Sequence, residues 1–337
     1  MNNKFFPSNF LFILIMFLGT MLSLSSSHWL TMWMGLELNL MGFLPLMNIK
    51  GKVLEAEASM KYFIIQSMSS SVLIFTSIMI YSYNMSWYSM LNNNMMSTLI
   101  LLSLILKLGG APLHFWLPSI SNHMSWSILF ILLSWQKLAP LFMLSLMNSN
   151  MTTIMMISVM STLVGSIMAL NQTNLQLIIT YSSISHLGWM MTMILFNSSL
   201  TLFYFTNYII ISIPLMHLIS SESGNHLFML THKNNMNNMI IISLILSLAG
   251  LPPLLGFMSK LIILISLIKM NLLLLTLLML LGTLISLYFY LNISLMLMIK
   301  SYTMFKTTKN IKSYKSLISL NLASSLIIYP MITMFIN

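Results

Sequence analysis

The 337-residue chain contains no cysteine, and its 14 basic residues are all lysine, so arginine is missing as well. These absences exclude disulfides, thiolate metal sites, cysteine-ligated iron–sulfur clusters and guanidinium clamps on phosphate. Charge of either sign is scarce: four glutamates are the whole acidic complement and charged residues make up 5% of the chain, where soluble domains carry about a quarter. A water-covered globule is therefore excluded. Hydrophobic residues reach 58% and the mean hydropathy is +0.92, so lipid is the main solvent and the chain reads as an integral membrane protein. The net charge of +10 does not point to nucleic acid, because the lysines are scattered singly or gathered in one short loop, with no aromatic-interleaved basic face.

Sites for fuel or redox chemistry are missing too. There is no Gly-x-x-x-x-Gly-Lys-Ser/Thr loop and no dinucleotide fingerprint, and no positioned Ser-His-acid set for nucleophilic chemistry. The seven histidines, at 28, 114, 123, 186, 217, 226 and 232, do not supply paired axial ligands for haem at matching depths. His226 and His232 sit with Glu222 in an Asn-rich stretch that reads as a solvated loop. The expectation is no cofactor and no metal in this chain. What is abundant is methionine, 37 residues spread over every face of every apolar segment. So uniform an excess reads as codon bias in an AT-rich organelle genome whose code has an extra methionine codon, which points to mitochondria.

A helix needs about 20 apolar residues to cross about 30 Å of hydrocarbon. On that window eleven spans are expected, at about 10–26, 29–48, 59–82, 96–120, 125–147, 151–170, 175–196, 199–219, 239–269, 272–298 and 316–335. The fold class is thus all-α and polytopic. The first span resembles a signal peptide but lacks a small-x-small cleavage site, so it is read as a retained helix. With this count, Lys4, Lys50, Lys52, Lys233, Lys300, Lys306, Lys309, Lys312 and Lys315 share one side of the membrane and only Lys269 lies on the other. By the positive-inside rule the N-terminus faces the positive-inside compartment, and an odd span count sends the C-terminus to the opposite side.

Glu37, Lys61, Lys107, Lys137 and Lys260 remain inside apolar segments. Each charge near the bilayer centre costs about 2.5–3.5 kcal/mol on the insertion scale, so as a set these residues point to function rather than packing. Lys61, a few residues into its helix after Glu55 and Glu57, can alternatively be an interfacial ion pair. For Lys107, Lys137, Lys260 and Glu37 the alternative is a structural salt bridge. His114 and His186 join the list, although either can simply bond a neighbouring carbonyl.

Gly and Pro interrupt two spans at their centres, in Lys107-Leu-Gly-Gly-Ala-Pro-Leu-His114 and in Ala249-Gly-Leu-Pro-Pro-Leu-Leu-Gly256 ahead of Lys260. Proline deletes a helix donor and clashes one turn back, which frees backbone carbonyls at membrane depth where only protein or water can satisfy them. The breaks fall in the fourth and ninth spans, and Pro112 and Pro253 lie 141 residues apart. Five spans is an odd interval, so two inverted five-helix repeats are expected, the sequence pattern of a transporter core with its site at the midplane. The expected organisation is a single membrane domain, with a first repeat over 10–147, a second over 151–298, a Lys-rich loop over 299–315 and a final helix over 316–335. Moving one charge against 100 mV takes about 2.3 kcal/mol, within the reach of one forming or breaking ion pair. The charges suggest that Glu37 alternately holds and releases Lys107, and that the proton passes by water, His114 and Lys137 toward Lys260.

Seven stretches then carry a resemblance: Trp33-Met-Gly-Leu-Glu-Leu-Asn-Leu40, Glu57-Ala-Ser-Met-Lys-Tyr-Phe63, Leu106-Lys-Leu-Gly-Gly-Ala-Pro-Leu-His-Phe-Trp116, Trp135-Gln-Lys-Leu-Ala-Pro140, Asn171-Gln-Thr173, Tyr181-Ser-Ser-Ile-Ser-His-Leu-Gly-Trp189 and Leu251-Pro-Pro-Leu-Leu-Gly-Phe257. The chain resembles the subunit 2 family of mitochondrial NADH dehydrogenase, in order from about residue 10 to 298. The resemblance implies an antiporter-like subunit of respiratory complex I in the mitochondrial inner membrane. It would move protons from the matrix to the intermembrane space while other subunits, which hold NADH, FMN, Fe-S clusters and ubiquinone, perform the redox chemistry. It implies a matrix N-terminus, neighbouring antiporter-like and small hydrophobic subunits as partners, and Glu37, Lys61, Lys107, His114, Lys137 and Lys260 as residues of the central axis. One departure is Leu175-Gln-Leu177, where relatives often carry basic residues. The competing readings are a stand-alone cation/proton antiporter of the same fold, and a structural subunit with an inactive axis.

Overall fold

The computed structural model describes residues 7–84, 94–147, 151–220, 235–252 and 254–304, and all regular structure among them is helical. A helix closes each backbone hydrogen bond within its own segment, the form an apolar run takes where no water competes. Among the described residues eight spans are long and apolar enough to cross a bilayer, joined by shorter apolar helices at Met95–Leu108 and Asn237–Ala249. The chain forms two compact units, Met1–Ile157 and Ser158–Asn337.

The first unit contains α1 (Pro7–Ser25), α2 (Trp29–Met47), α3 (Val53–Asn84), α4 (Asn94–Leu108), α5 (Trp116–Ser121), α6 (Trp126–Leu133) and α7 (Trp135–Leu146). α1 and α2 form a hairpin packed backbone to backbone. A Cβ on Gly19 would stand 2.7 Å from the Gly35 carbonyl oxygen, the close approach that small residues permit between helices in lipid. α8 (Met151–Ala169) contains the unit boundary. The second unit continues with α9 (Leu175–Ile194), α10 (Ser198–Ser220), α11 (Asn235–Ala249), α12 (Leu255–Lys269) and α13 (Leu273–Met304). α9 starts at Asn174, whose side-chain oxygen accepts from the Gln176 amide at 3.2 Å, and its span is 83% buried within the protein against 22% for α1. α9 is thus an inner helix of its unit, whereas α1 presents most of its surface outward.

Three boundaries differ from the sequence expectation. α3 begins at Val53 rather than near 59, because charge excludes a segment from a hydrophobic window without disfavouring a helix. Glu55 lies in the first turn, where the helix dipole favours an anion, and Glu57 pairs with Lys61 one turn on at 2.6 Å. The span expected as one helix over 125–147 is interrupted at Ser134 between α6 and α7. Pro140 cannot donate to the Gln136 carbonyl and crowds it, while the Ser134 hydroxyl donates back to the Phe130 carbonyl at 2.7 Å. α13 runs to Met304, past the expected end at 298. The rest of the Lys-rich segment, the expected final helix over 316–335 and Pro253 lie outside the described residues.

Both expected breaks are present, between α4 and α5 and between α11 and α12, and they begin alike. Gly109 (φ +72°) and Gly250 (φ +84°) take the left-handed conformation that closes a helix C-terminus. Gly109 and Gly110 amides both donate to the Ile105 carbonyl, at 2.9 and 3.1 Å, and Gly250 and Leu251 amides both donate to the Leu246 carbonyl, at 3.2 and 3.3 Å. At the second break Gly256 lies against the backbone of α11, so that a Cβ there would run into the Ser247 carbonyl oxygen. Because both partners are backbone, Gly256→Ala is expected to destabilise the chain by about 3 kcal/mol or more, at the upper end for overpacking. Gly51→Ala, with open space around the residue, is expected to cost about 1 kcal/mol through its positive φ. Rates of thermal inactivation of the detergent-solubilised assembly check the ranking.

Candidate functional site

α4 ends at Leu108, and a helix end in lipid leaves up to four carbonyls without intrahelical donors. The Trp116 indole, at the head of α5, donates to the Leu106 carbonyl at 3.0 Å, and the Gln66 amide of α3 donates to the Lys107 carbonyl at 3.4 Å. These bonds and the two glycine amides satisfy the Ile105, Leu106 and Lys107 carbonyls without the Lys107 side chain. Lys107 is buried, 7% exposed, and lines a polar cavity of about 20 Å³, enough for about one water. Its position in the last turn of α4 places the ammonium at the negative end of the helix dipole.

Asn39, Tyr62, Gln66 and Gln136 supply the other polar walls of this cavity. Asn39 of α2 and Gln136 of α7 form a reciprocal amide pair, the Asn39 nitrogen donating to Gln136 at 2.8 Å and the Gln136 nitrogen donating to Asn39 at 3.2 Å. The buried Tyr62 hydroxyl donates to the same Gln136 oxygen at 3.4 Å. Two residues before Asn39, Glu37 acts electrostatically on Lys107, while its Oε1 is buried and accepts no hydrogen bond. One residue after Gln136, Lys137 is buried in the first turn of α7, 2% exposed. The amide pair thus ties together the two helices that carry Glu37 and Lys137.

His114 lies in the break itself, buried, with Nδ1 3.2 Å from the Pro112 carbonyl and its ring 4.3 Å from Phe115. Lys61 stands apart from this group: it is 43% exposed in its pair with Glu57. In the second unit Lys260 of α12 reaches back to the end of α11 and donates to the Ala249 carbonyl at 2.8 Å and the Leu248 carbonyl at 3.4 Å. A hydrogen bond from a charged donor contributes about 1.5–3 kcal/mol, the size of the insertion penalty, so here the buried ammonium and the orphaned carbonyls relieve each other. His186 of α9 meets Tyr204 of α10, with Nδ1 2.8 Å from the phenol oxygen, and its ring centroid lies 5.3 Å from that of Tyr208.

Sequence reasoning found the charges and missed the neutral groups: Asn39, Tyr62, Gln66, Gln136, Tyr204 and Tyr208. Asn39 and Gln136 stand inside stretches already singled out, but a neutral amide carries no penalty as large as a charge. Among the described residues no group of three or more His, Cys, Asp or Glu side chains is placed to hold a metal.

Residues 26–286 match the family model described as the membrane region of NADH:quinone oxidoreductase and Mrp antiporters, a stretch that includes all seven sequence candidates. NADH-ubiquinone oxidoreductase chain 2 of Anopheles gambiae is 39% identical over 302 residues, 88% of this chain and 87% of its own. The chain belongs to the NADH-ubiquinone oxidoreductase chain 2 family, antiporter-like membrane subunits of respiratory complex I. The chain 2 protein of Metachirus nudicaudatus is 38% identical over 339 residues, covering 96% of each chain. A membrane chain of respiratory complex I from Thermus thermophilus has the same fold, with a TM-score of 0.83 at 22% identity over 98% of this chain and 79% of that one.

For this chain 2 family member the amide pair generates a stability test. Gln136→Leu strands the buried Asn39 amide, at about 1–3 kcal/mol, and Asn39→Leu strands Gln136. The double substitution is expected to be milder than the sum by about 1 kcal/mol, seen in a double-mutant cycle of thermal inactivation rates.

Proposed function

We propose that this chain translocates protons from the mitochondrial matrix to the intermembrane space as one module of respiratory complex I, using Glu37, Lys107, Lys137 and Lys260, with Lys61, His114 and His186 in supporting roles. The energy comes from NADH oxidation and ubiquinone reduction in other subunits, which carry NADH, FMN, Fe-S clusters and ubiquinone. Neighbouring antiporter-like and small hydrophobic subunits are its partners. The chain lies in the inner membrane with its N-terminus in the matrix and its C-terminus toward the intermembrane space, the orientation that the lysine distribution favours. Eleven helices make up this arrangement, as two inverted five-helix repeats over 10–147 and 151–298 followed by a final helix over 316–335. The alike glycine-capped ends of α4 and α11 support that pairing.

One observation carries the proposal: the buried Lys107 lines a polar, water-sized cavity and feels the charge of Glu37, with no ion pair between the two among the described residues. A buried ammonium that feels a carboxylate without an ion pair to it suits a pair that forms and opens during a cycle. At an effective dielectric of 20, two unit charges 4 Å apart interact by about 4 kcal/mol, more than the roughly 2.3 kcal/mol needed per charge at 100 mV. Opening or closing the pair is therefore enough to drive one proton step. From Lys107 the proton passes by water and His114 to Lys137, and onward to Lys260 in the second unit.

Replacing Lys107 by Met keeps the length of the side chain and removes its charge. Lys107→Met is expected to assemble at the wild-type level on a native gel, while coupled NADH oxidation and proton pumping into sealed vesicles fall about tenfold or more, as for loss of a group that transfers protons. Full pumping by the assembled variant would overturn the mechanism.

A further inference from the structure

The reciprocal pair of Asn39 and Gln136 can form in two ways. Turning both side-chain amides by half a turn puts a nitrogen where each oxygen stood, at nearly the same size, and the same two bonds form again. Nothing within the pair chooses between these orientations. A third partner does: the Tyr62 hydroxyl donates to Gln136 Oε1 at 3.4 Å, the longest and so the most easily broken of the three bonds. Tyr62 is 3% exposed, and its ring is held between Phe43 and Trp116, with centroids 5.4 and 5.9 Å away. Its oxygen therefore stays in place while its hydrogen can turn about the C–O bond. Tyr62, Asn39, Gln136 and Lys107 all line one cavity.

We propose that Tyr62 is a positioning residue for Lys107, and that its hydroxyl and the Asn39–Gln136 pair turn together as the lysine gains and loses its proton. The inference rests on the proton-translocation reading above and adds a neutral switch to it. An ammonium only donates, whereas a neutral amine also accepts. The observed orientation fits the ammonium, because Tyr62 spends its hydrogen on Gln136 and keeps its lone pairs for the cavity. The turned orientation fits the amine: Gln136 Nε2 takes the place of Oε1 and donates to the Tyr62 oxygen, and the Tyr62 hydrogen swings to the cavity. Three hydrogen bonds join the three side chains in either state, and none of these side chains gains or loses a proton. Asn39 shares α2 with Glu37, and Gln136 directly precedes Lys137 in α7, so the switch lies between the helices of both neighbouring charges.

The test compares Tyr62→Phe, Lys107→Met and Gln136→Leu, alone and with Tyr62→Phe added to each of the others, in the intact complex sealed in vesicles. It reads NADH oxidation and proton uptake, with assembly followed on a native gel. Tyr62→Phe keeps the ring, removes the hydroxyl and leaves the amide pair its two bonds. It is expected to assemble at the wild-type level and to pump about fivefold more slowly, the worth of one hydrogen bond of ordinary strength. Added to Lys107→Met or to Gln136→Leu, it is expected to cost less than about a further twofold, because a residue that acts through these partners has nothing left to act on. Losses that multiply in either background, or failure of Tyr62→Phe to assemble, would assign the tyrosine a packing role and overturn the proposal. If Lys107→Met stops pumping while Tyr62→Phe pumps like wild type, the switch is overturned and the translocation reading stands. If Lys107→Met pumps like wild type, the translocation reading itself falls and takes the switch with it.

Discussion

A backbone carbonyl released at the end of a half-helix in lipid has to be hydrogen-bonded by something, and most of this protein's functional architecture follows from how two such ends are satisfied. At the end of α4 the donors are glycine amides, the Trp116 indole and the Gln66 amide, so the nearby ammonium of Lys107 is left to a polar cavity. At the end of α11 the ammonium of Lys260 is itself a donor. The same left-handed glycine cap thus leads to two environments: one lysine lines a polar cavity, and the other is held by the backbone.

The neutral polar side chains form a layer of their own. The Asn39–Gln136 pair fixes the helices that carry Glu37 and Lys137, and His186 and Tyr204 join α9 to α10. Hydrogen bonds of this kind are directional where Coulomb attraction is not. They therefore set the geometry in which a few charges act, and they do so without adding charges that the bilayer would penalise. The interruption at Ser134 belongs to the same logic. It puts Lys137 in the first turn of a new helix, next to the amide pair instead of in the middle of a continuous rod.

Outward faces such as that of α1 need only be apolar, and many residues meet that demand. The inner breaks admit few alternatives: glycine where φ is positive or backbones touch, and a donor wherever a carbonyl is stranded.

The sequence by itself determined the lipid environment, most of the described helical segments within a few residues, the positions of both Gly/Pro breaks and the ionisable residues held in them. Each of these is a one-dimensional property: a run length, a missing donor or a charge whose penalty does not depend on its neighbours. Tertiary structure alone decided which groups meet. It separated Lys61 into an exposed pair with Glu57, set Lys260 on the Ala249 carbonyl, left Glu37 Oε1 without a donor and joined Asn39 to Gln136 across 97 residues of sequence. A hydrogen bond depends on distances of tenths of an ångström between elements far apart in the chain, and helix packing, which fixes those distances, leaves no periodic trace in the order of the residues.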